Sequence, residues 1–244
     1  MVEATRTDAR PAPGPKRFYR EARAQAGEGG YVLTLDGRPA RTPGRALFAL
    51  PTQALGDVVA AEWAAQGDTI DPATMPLTRL SNTAIDGVAA EIDAVRADIA
   101  RYGGSDLVVY RAGEPEGLVA AQARAWDPVL HWARADLGAR FILSEGVMFV
   151  AQPDSSLARI RERLDEQRSP FRLAALHVMT TLTGSILIPL MHVAGQIDTA
   201  AAWDAAHVDE VFQETRWGTD HDALDRRARR RGEFDSASRL HALS

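Results

Sequence analysis

The residues in this sequence whose types and spacing could do chemistry gather on one helical stripe. His207, Glu210, Glu214 and Trp217 step by 3, 4 and 3 residues, so on a helix they share an edge, with Asp209 beside them. In one reading His207, Glu210 and Glu214, joined by His221, form a metal site for a metal-dependent hydrolase. Oxygen-rich sites of that kind draw ligands from several helices, and no matching pair stands elsewhere in the chain. In the other, the carboxylates and the aromatic anchor dock a partner's arginines and apolar surface. A solvated helix face with one packed tryptophan is the plain alternative.

Other candidates are weaker. His177 and His192 lie in or beside an apolar helix and read as satisfied core residues, with buried proton transfer as the alternative. His221, in T-D-H-D, reads as part of a helix start, because adjacent residues point different ways around a helix. Arg226, Arg227, Arg229, Arg230 and Arg231 form the basic cluster. An RNA or phosphate site is one reading. A helix face paired with Asp222, Asp225, Glu233 and Asp235 is the other, and the missing aromatic platform favours it. No phosphate-binding loop, dinucleotide fingerprint, H-E-x-x-H or G-x-S-x-G occurs.

Composition sets wider bounds. The 244 residues are 45% hydrophobic and 25% charged, as in an ordinary globular protein, and their number fits one large domain or two small ones. The absence of cysteine excludes disulfide scaffolds, thiolate metal sites and cysteine nucleophiles. Lys16 is the single lysine, so a buried Schiff base has no donor. A net charge of −5 makes the chain a poor general nucleic-acid binder.

The elements that must position these residues follow from periodicity. Residues 1–15 carry no apolar core for a signal peptide and read as a disordered arm. Strands are expected over Arg17–Arg23, Tyr31–Leu35 and Ala46–Leu50, with tight turns at Asp36-Gly37 and Pro43-Gly44. Helices are expected over Thr52–Gln66, Ile85–Tyr102, Glu116–Leu137, from a cap at Asp154, and over Asp198–Arg216, with Thr219 and Asp222 opening a last one. Asp71-Pro72 and Met75-Pro76 read as an extended linker. Phe141–Leu143 and Val147–Val150 are brief apolar runs around Gly146. The stretch of 25 residues after Arg172 has no acid, lysine or arginine. Its histidines, hydroxyls, Gly184 and Pro189 favour a buried helix over a membrane span, with Ser169-Pro170 as its start. The expected fold class is α+β: a β-rich N-terminal domain with one helix over 16–75, then a larger all-helical C-terminal domain over 76–244.

Two segments resemble a known family. They are E-W-A-A-Q-G-D-T-I-D-P-A-T-M-P-L-T-R-L-S-N-T-A-I-D, from Glu62 to Asp86, and V-D-E-V-F-Q-E-T-R-W-G-T-D-H-D, from Val208 to Asp222. K-R-F-Y at Lys16–Tyr19 and D-G-R-P-A-R-T-P at Asp36–Pro43 match the start of the same domain. Together they are similar to the ATP-twelve family, assembly chaperones for the alpha subunit of the F-type ATP synthase catalytic head. The resemblance runs from about Lys16 to Leu240.

The resemblance implies a non-enzymatic chaperone without cofactor or metal. It would hold the unassembled alpha subunit until the beta subunit replaces it. It implies a client-binding acidic helix at Glu210, with Asp209, Glu214 and Trp217 beside it. It implies structural roles for Trp63, packing the N-terminal helix to the body, for Asn82 and Asp86, fixing the linker and helix start, and for Gly218. No nucleic acid or membrane partner is expected, the free chain is expected to be monomeric, and a bacterial cytoplasm is favoured over a mitochondrial matrix.

Overall fold

A computed structural model describes residues 14–146, 148–217 and 221–244, the side chains of Trp217 and His221 excepted. Most of the expected arm, together with Gly218 and Thr219, lies outside the described residues. The chain begins as a sheet built around one strand. β2 (Gly30–Leu35) pairs antiparallel with β1 (Ala22–Gly27) along its whole length. Its other edge takes β3 (Arg38–Pro39) at one end and β4 (Ala49–Leu50) at the other. Asp36 and Gly37 both have positive φ, 50° and 76°, as a two-residue type I′ hairpin turn requires.

The first strand starts later than the alternation suggested. Arg17 instead joins the end of the first helix. Its guanidinium donates to the carbonyls of Tyr19 and Gln66, and its backbone N–H donates to Asp68 at 2.9 Å. That helix, α1 (Gln53–Ala64), is capped by the Thr52 hydroxyl and lies on the sheet where Gly56 meets Ala24. A Cβ at position 56 would come within 2.7 Å of the Ala24 Cβ, so glycine permits the contact. Trp63 is half-buried against Tyr19, their rings 5.5 Å apart, and the Tyr19 hydroxyl donates to the Trp63 carbonyl at 2.7 Å.

The Glu62–Asp86 segment is a wiring diagram rather than a linker. After a 3-10 turn at Pro72–Thr74, α2 (Pro76–Asp86) begins with proline at its first position. Its free N–H groups are satisfied from α1: the Glu62 carboxylate accepts from the backbone of Leu77 and Thr78, both at 2.8 Å, and from the Thr78 hydroxyl at 2.7 Å. Gln66 Oε1 accepts from Asp71 N–H, and its Nε2 donates to the Thr74 hydroxyl.

Asn82 therefore lies inside a helix, and Asp86 is a helix's last residue rather than fixing a helix start. The Asp86 carboxylate accepts from the Thr42 hydroxyl at 2.5 Å and from Gly44 N–H at 2.8 Å, tying α2 to the second turn of the sheet. The single helix expected over Ile85–Tyr102 is accordingly broken. Gly87 and a 3-10 turn at Val88–Ala90 separate α2 from α3 (Ile92–Arg101).

The rest is helical apart from two parallel two-residue strands, β5 (Tyr110–Arg111) and β6 (Ser144–Glu145). It comprises α4 (Glu116–Asp136), α5 (Asp154–Asp165), α6 (Pro170–Thr183), α7 (Leu187–Val193), α8 (Thr199–Ala206), α9 (Val208–Trp217) and α10 (His221–Leu243). Asp154 is the first residue of α5 rather than its cap. The α+β architecture is the one expected.

The long apolar stretch folds back on itself. Ser169 caps α6, Gly184 ends it at φ 66°, and α7 follows. Phe171, Leu173–Leu176, Met179 and Leu187–Met191 are all buried, with α2, α3 and α10 packed against α6. Among the described residues no helix is long and apolar enough to cross a membrane. His177 pairs with Asp98 of α3 at 2.9 Å, and His192 meets the Ile197 carbonyl and the Ser238 hydroxyl.

One carboxylate holds this hairpin. Asp106 is fully buried and accepts from Val108, Ile186 and Leu187 N–H groups, at 3.2, 2.8 and 3.1 Å. Burial pushes its carboxyl up to about 6, against the hydrogen bonds that favour the anion.

Two measurements test this frame. Asp106→Ala leaves three buried donors unpaired and is expected to lower the unfolding free energy by about 2–4 kcal/mol in urea titration, with Asp106→Asn losing less. His241, buried beside Arg172 and His192, has its pKa pushed down to about 4, first by burial and then by those neighbours. Between pH 6.5 and 4 the unfolded chain therefore takes up a proton that the folded chain refuses, and stability falls as pH falls. His241→Gln should remove about 1–2 kcal/mol of that fall, allowing for partial exposure. Asp106 acts in the opposite sense: its raised pKa costs stability as pH rises from about 4 to 6.

Candidate functional site

The helix expected over Asp198–Arg216 breaks at His207. The imidazole stacks on Trp203, with centroids 3.8 Å apart, and Nδ1 donates to the Trp203 carbonyl at 2.8 Å. That carbonyl would otherwise receive the His207 backbone N–H, which turns to Asp204 instead. The chain redirects, and α9 restarts at Val208. Burial lowers the His207 pKa, against the Trp203 carbonyl and Glu210, which favour the charged ring.

This break separates the carboxylates of the stripe. Asp209 accepts from Gln122 Nε2 of α4 at 2.8 Å, and the same buried side chain accepts from Ala112 N–H. Glu214 is ion-paired with Arg227 of α10. Glu210 stays half-exposed, its oxygens 4.0 Å from His207 Nε2 and 4.0 Å from Arg230. The three acids thus point in three directions. Among the described residues no group of three His, Asp or Glu could hold a metal ion. The side chains of Trp217 and His221, and Gly218 entirely, lie outside the described residues.

The arginine cluster is a strap. Arg227 holds Glu214, Arg230 approaches Glu210 and donates to the Leu182 carbonyl at 2.8 Å, and Arg231 bridges Asp204 and Asp235 at 3.7 and 3.4 Å. The expected partners included only acids of the last helix and its start. Several prove to sit on α8 and α9, so Arg227, Arg230 and Arg231 are engaged by acids of neighbouring helices, while Arg226 and Arg229 are exposed.

Amid its solvated charges the helical part also displays apolar side chains. Between α4 and α5 the chain makes a stiff flap. The buried Gln152 side chain clips both backbone groups of Ile142, at 2.8 and 2.9 Å, and the Ser144 hydroxyl donates to the Met148 carbonyl at 2.8 Å. On the flap Ile142 and Leu143 are each 48% exposed, Met148 74% and Phe149 71%. Large side chains left in water on a braced loop are the physical signature of an interaction surface.

A second apolar feature is a groove of about 800 Å³ between α4, α8 and α9. Its floor includes Val129 and Met191, and α9 forms one wall with Val208, Val211 and Phe212. The Phe212 ring lies over Gly117, 3.3 Å from where a Cβ would stand. Alanines spaced by four, Ala121 and Ala125 on α4, Ala201 and Ala205 on α8, leave the hollow open. A shallower hollow continues along α4 past Asp127, Pro128 and His131, and Asp127 pairs with Arg111 beside the flap. The sequence carried weak signals of both features, the apolar runs around Gly146 and the spaced alanines, but exposure is decided in three dimensions.

Comparison with known proteins bears on the whole chain. The family model of the ATP12 chaperone protein matches residues 16–134. The crystal structure of Atp12 from Paracoccus denitrificans superposes with a TM-score of 0.90 at 41% identity, over 94% of this chain and 98% of that one. The chain belongs to the ATP12 chaperone family. The Atu1473 protein of Agrobacterium tumefaciens matches at 45% identity and TM-score 0.90, over 94% of this chain and 86% of that one. Protein atp12, mitochondrial, of Schizosaccharomyces pombe is 24% identical over 225 residues, which is 87% of this chain and 77% of that protein. Membership of the ATP12 family makes the chain a chaperone and not an enzyme, and the hydrolase reading finds no support.

Because Met148 and Phe149 are turned to water, changing both to Ser should alter the unfolding free energy by no more than about 0.5 kcal/mol in denaturant titration. A loss of several kcal/mol would mean the flap packs on the body.

Proposed function

We propose that this ATP12-family chaperone, which acts in assembly of the ATP synthase, holds the unassembled alpha subunit of the catalytic head and shields its subunit interface until the beta subunit replaces it. Family membership supports the assembly role. The resemblance of Glu62–Asp86 and Val208–Asp222 supports the choice of client. The observation that carries the reading is the half-exposed Glu210 on α9, flanked on the same helical body by a groove and a flap that are apolar and open to solvent. An unassembled subunit exposes sticky surface that would aggregate. A cover made of apolar patches and one incompletely paired carboxylate binds it without chemistry, and less tightly than the final partner.

Asp209, Glu214 and Trp217 belong to the same proposed docking helix, with Asp209 and Glu214 holding it to α4 and α10. The free chain is read as a monomer. A bacterial cytoplasm is the favoured compartment, supported by the bacterial origin of the two solved relatives named above.

The test is retention of purified alpha subunit by the immobilised chain. Glu210→Lys places a cation beside Arg230 and is expected to weaken retention about tenfold or more, as a charge reversal at an interface does. Glu210→Gln should weaken it less, and both should melt within a few degrees of the unaltered chain. Added beta subunit should release the client. Undiminished retention by a folded Glu210→Lys chain removes that residue from the site, and failure of the unaltered chain to retain alpha subunit overturns the reading.

A further inference from the structure

We propose that the groove between α4, α8 and α9 is the seat of one amphipathic helix of the client. The inference rests on the reading that the chain holds the alpha subunit, and it adds where that subunit docks and what chemistry the docking element carries. The groove is the right kind of space. It is lined mostly by apolar side chains and holds about 800 Å³, while Val211 on its wall is left 48% exposed. A helix laid into such a trough buries an apolar stripe at i, i+3, i+4 and i+7.

The rim says more. Arg124 on the α4 side is exposed and meets no carboxylate among the described residues. On the opposite lip, Asp204 of α8 is three-quarters exposed and only loosely engaged by Arg231, at 3.7 Å. A helix seated in the groove would take water from this cation on the α4 side and this anion on the α8 side, which favours the opposite signs in the occupant. The docking helix should carry an acid on the flank toward α4 and a base on the flank toward α8, with apolar residues between.

Two other occupants fit less well. Residues 1–13, MVEATRTDARPAP, offer only Met1 and Val2 as larger apolar side chains and carry two prolines, so that arm cannot supply an apolar helical stripe. A second copy of this chain would have to use its own exposed apolar residues. Apart from Phe18, Val119 and Val211, those lie on the flap, which is a loop.

The groove is tested with three variants of the full chain and purified unassembled alpha subunit. Ala201 is exposed and lines the groove, so Ala201→Trp plugs it without touching the core. Ala201→Trp and Arg124→Glu are each expected to weaken retention about tenfold or more, with melting temperature unchanged. A photo-crosslinking side chain at position 201 should couple to one helical segment of the alpha subunit with the stated charge pattern. Crosslinking to a second copy, crosslinking to residues 1–13, or full retention by folded Ala201→Trp overturns the groove assignment. If Glu210→Lys still abolishes retention in that case, the client reading stands and the groove alone is wrong. If the unaltered chain retains no alpha subunit, both fall together.

Discussion

The structure depends on burying α6 and α7, a hairpin too apolar to face water and too short in either arm to cross a membrane. Its turn leaves backbone N–H groups deep inside the protein. Asp106, itself fully buried, accepts from three N–H groups there, including two at the start of α7. A buried carboxylate is tolerable only when its oxygens are occupied, and buried donors only when they are met. Each solves the other's problem, and α2, α3, α4 and α10 then pack round a closed core. The end of α10 is tied at two points: Arg172 of α6 donates to the Ser244 carbonyl, and the Thr52 hydroxyl at the start of α1 donates to the Leu243 carbonyl.

Charge in this molecule is mostly spent on construction. Glu62 caps a neighbouring helix, Asp86 pins a turn, and the arginines of α10 strap α8 and α9 in place. Those roles explain why residues that could do chemistry do not converge. A metal site needs several ligands aimed at one point, whereas Asp209, Glu210 and Glu214 are aimed at α4, solvent and α10. What remains open to the outside includes, among many solvated charges, some apolar surface with the incompletely paired Glu210, Arg124 and Asp204 on the same helical body. That is a poor constellation for turnover and a suitable one for reversible cover of another polypeptide.

The groove and the flap are lightly built. The wall of the groove is a ten-residue helix, α9, held by side-chain contacts more than by deep burial. The flap is a loop braced by Gln152. Neither presents the large flat hydrophobic interface of an obligate partner. Such a surface suits the exchangeable hold proposed above.

Much was legible in the sequence because it was local. Asp36-Gly37 specified its turn by backbone preference, Thr52, Ser169 and Asp198 specified helix starts by hydrogen-bonding their own first turns, and the apolar run from Leu173 could only be buried. Long periodic segments misled where a side chain or a glycine interrupted the backbone ladder. The stripe from Asp198 to Arg216 looks like one helix, but His207 takes its neighbour's carbonyl because Trp203 offers it a ring to stack on. The periodicity from Ile85 to Tyr102 is real, yet Gly87 breaks it and Asp86 turns to Thr42, 44 residues away in sequence. Exposure was out of reach altogether. Whether Phe149 or Val211 lies in a core or in water depends on what else comes to rest on it, and no spacing along the chain records that.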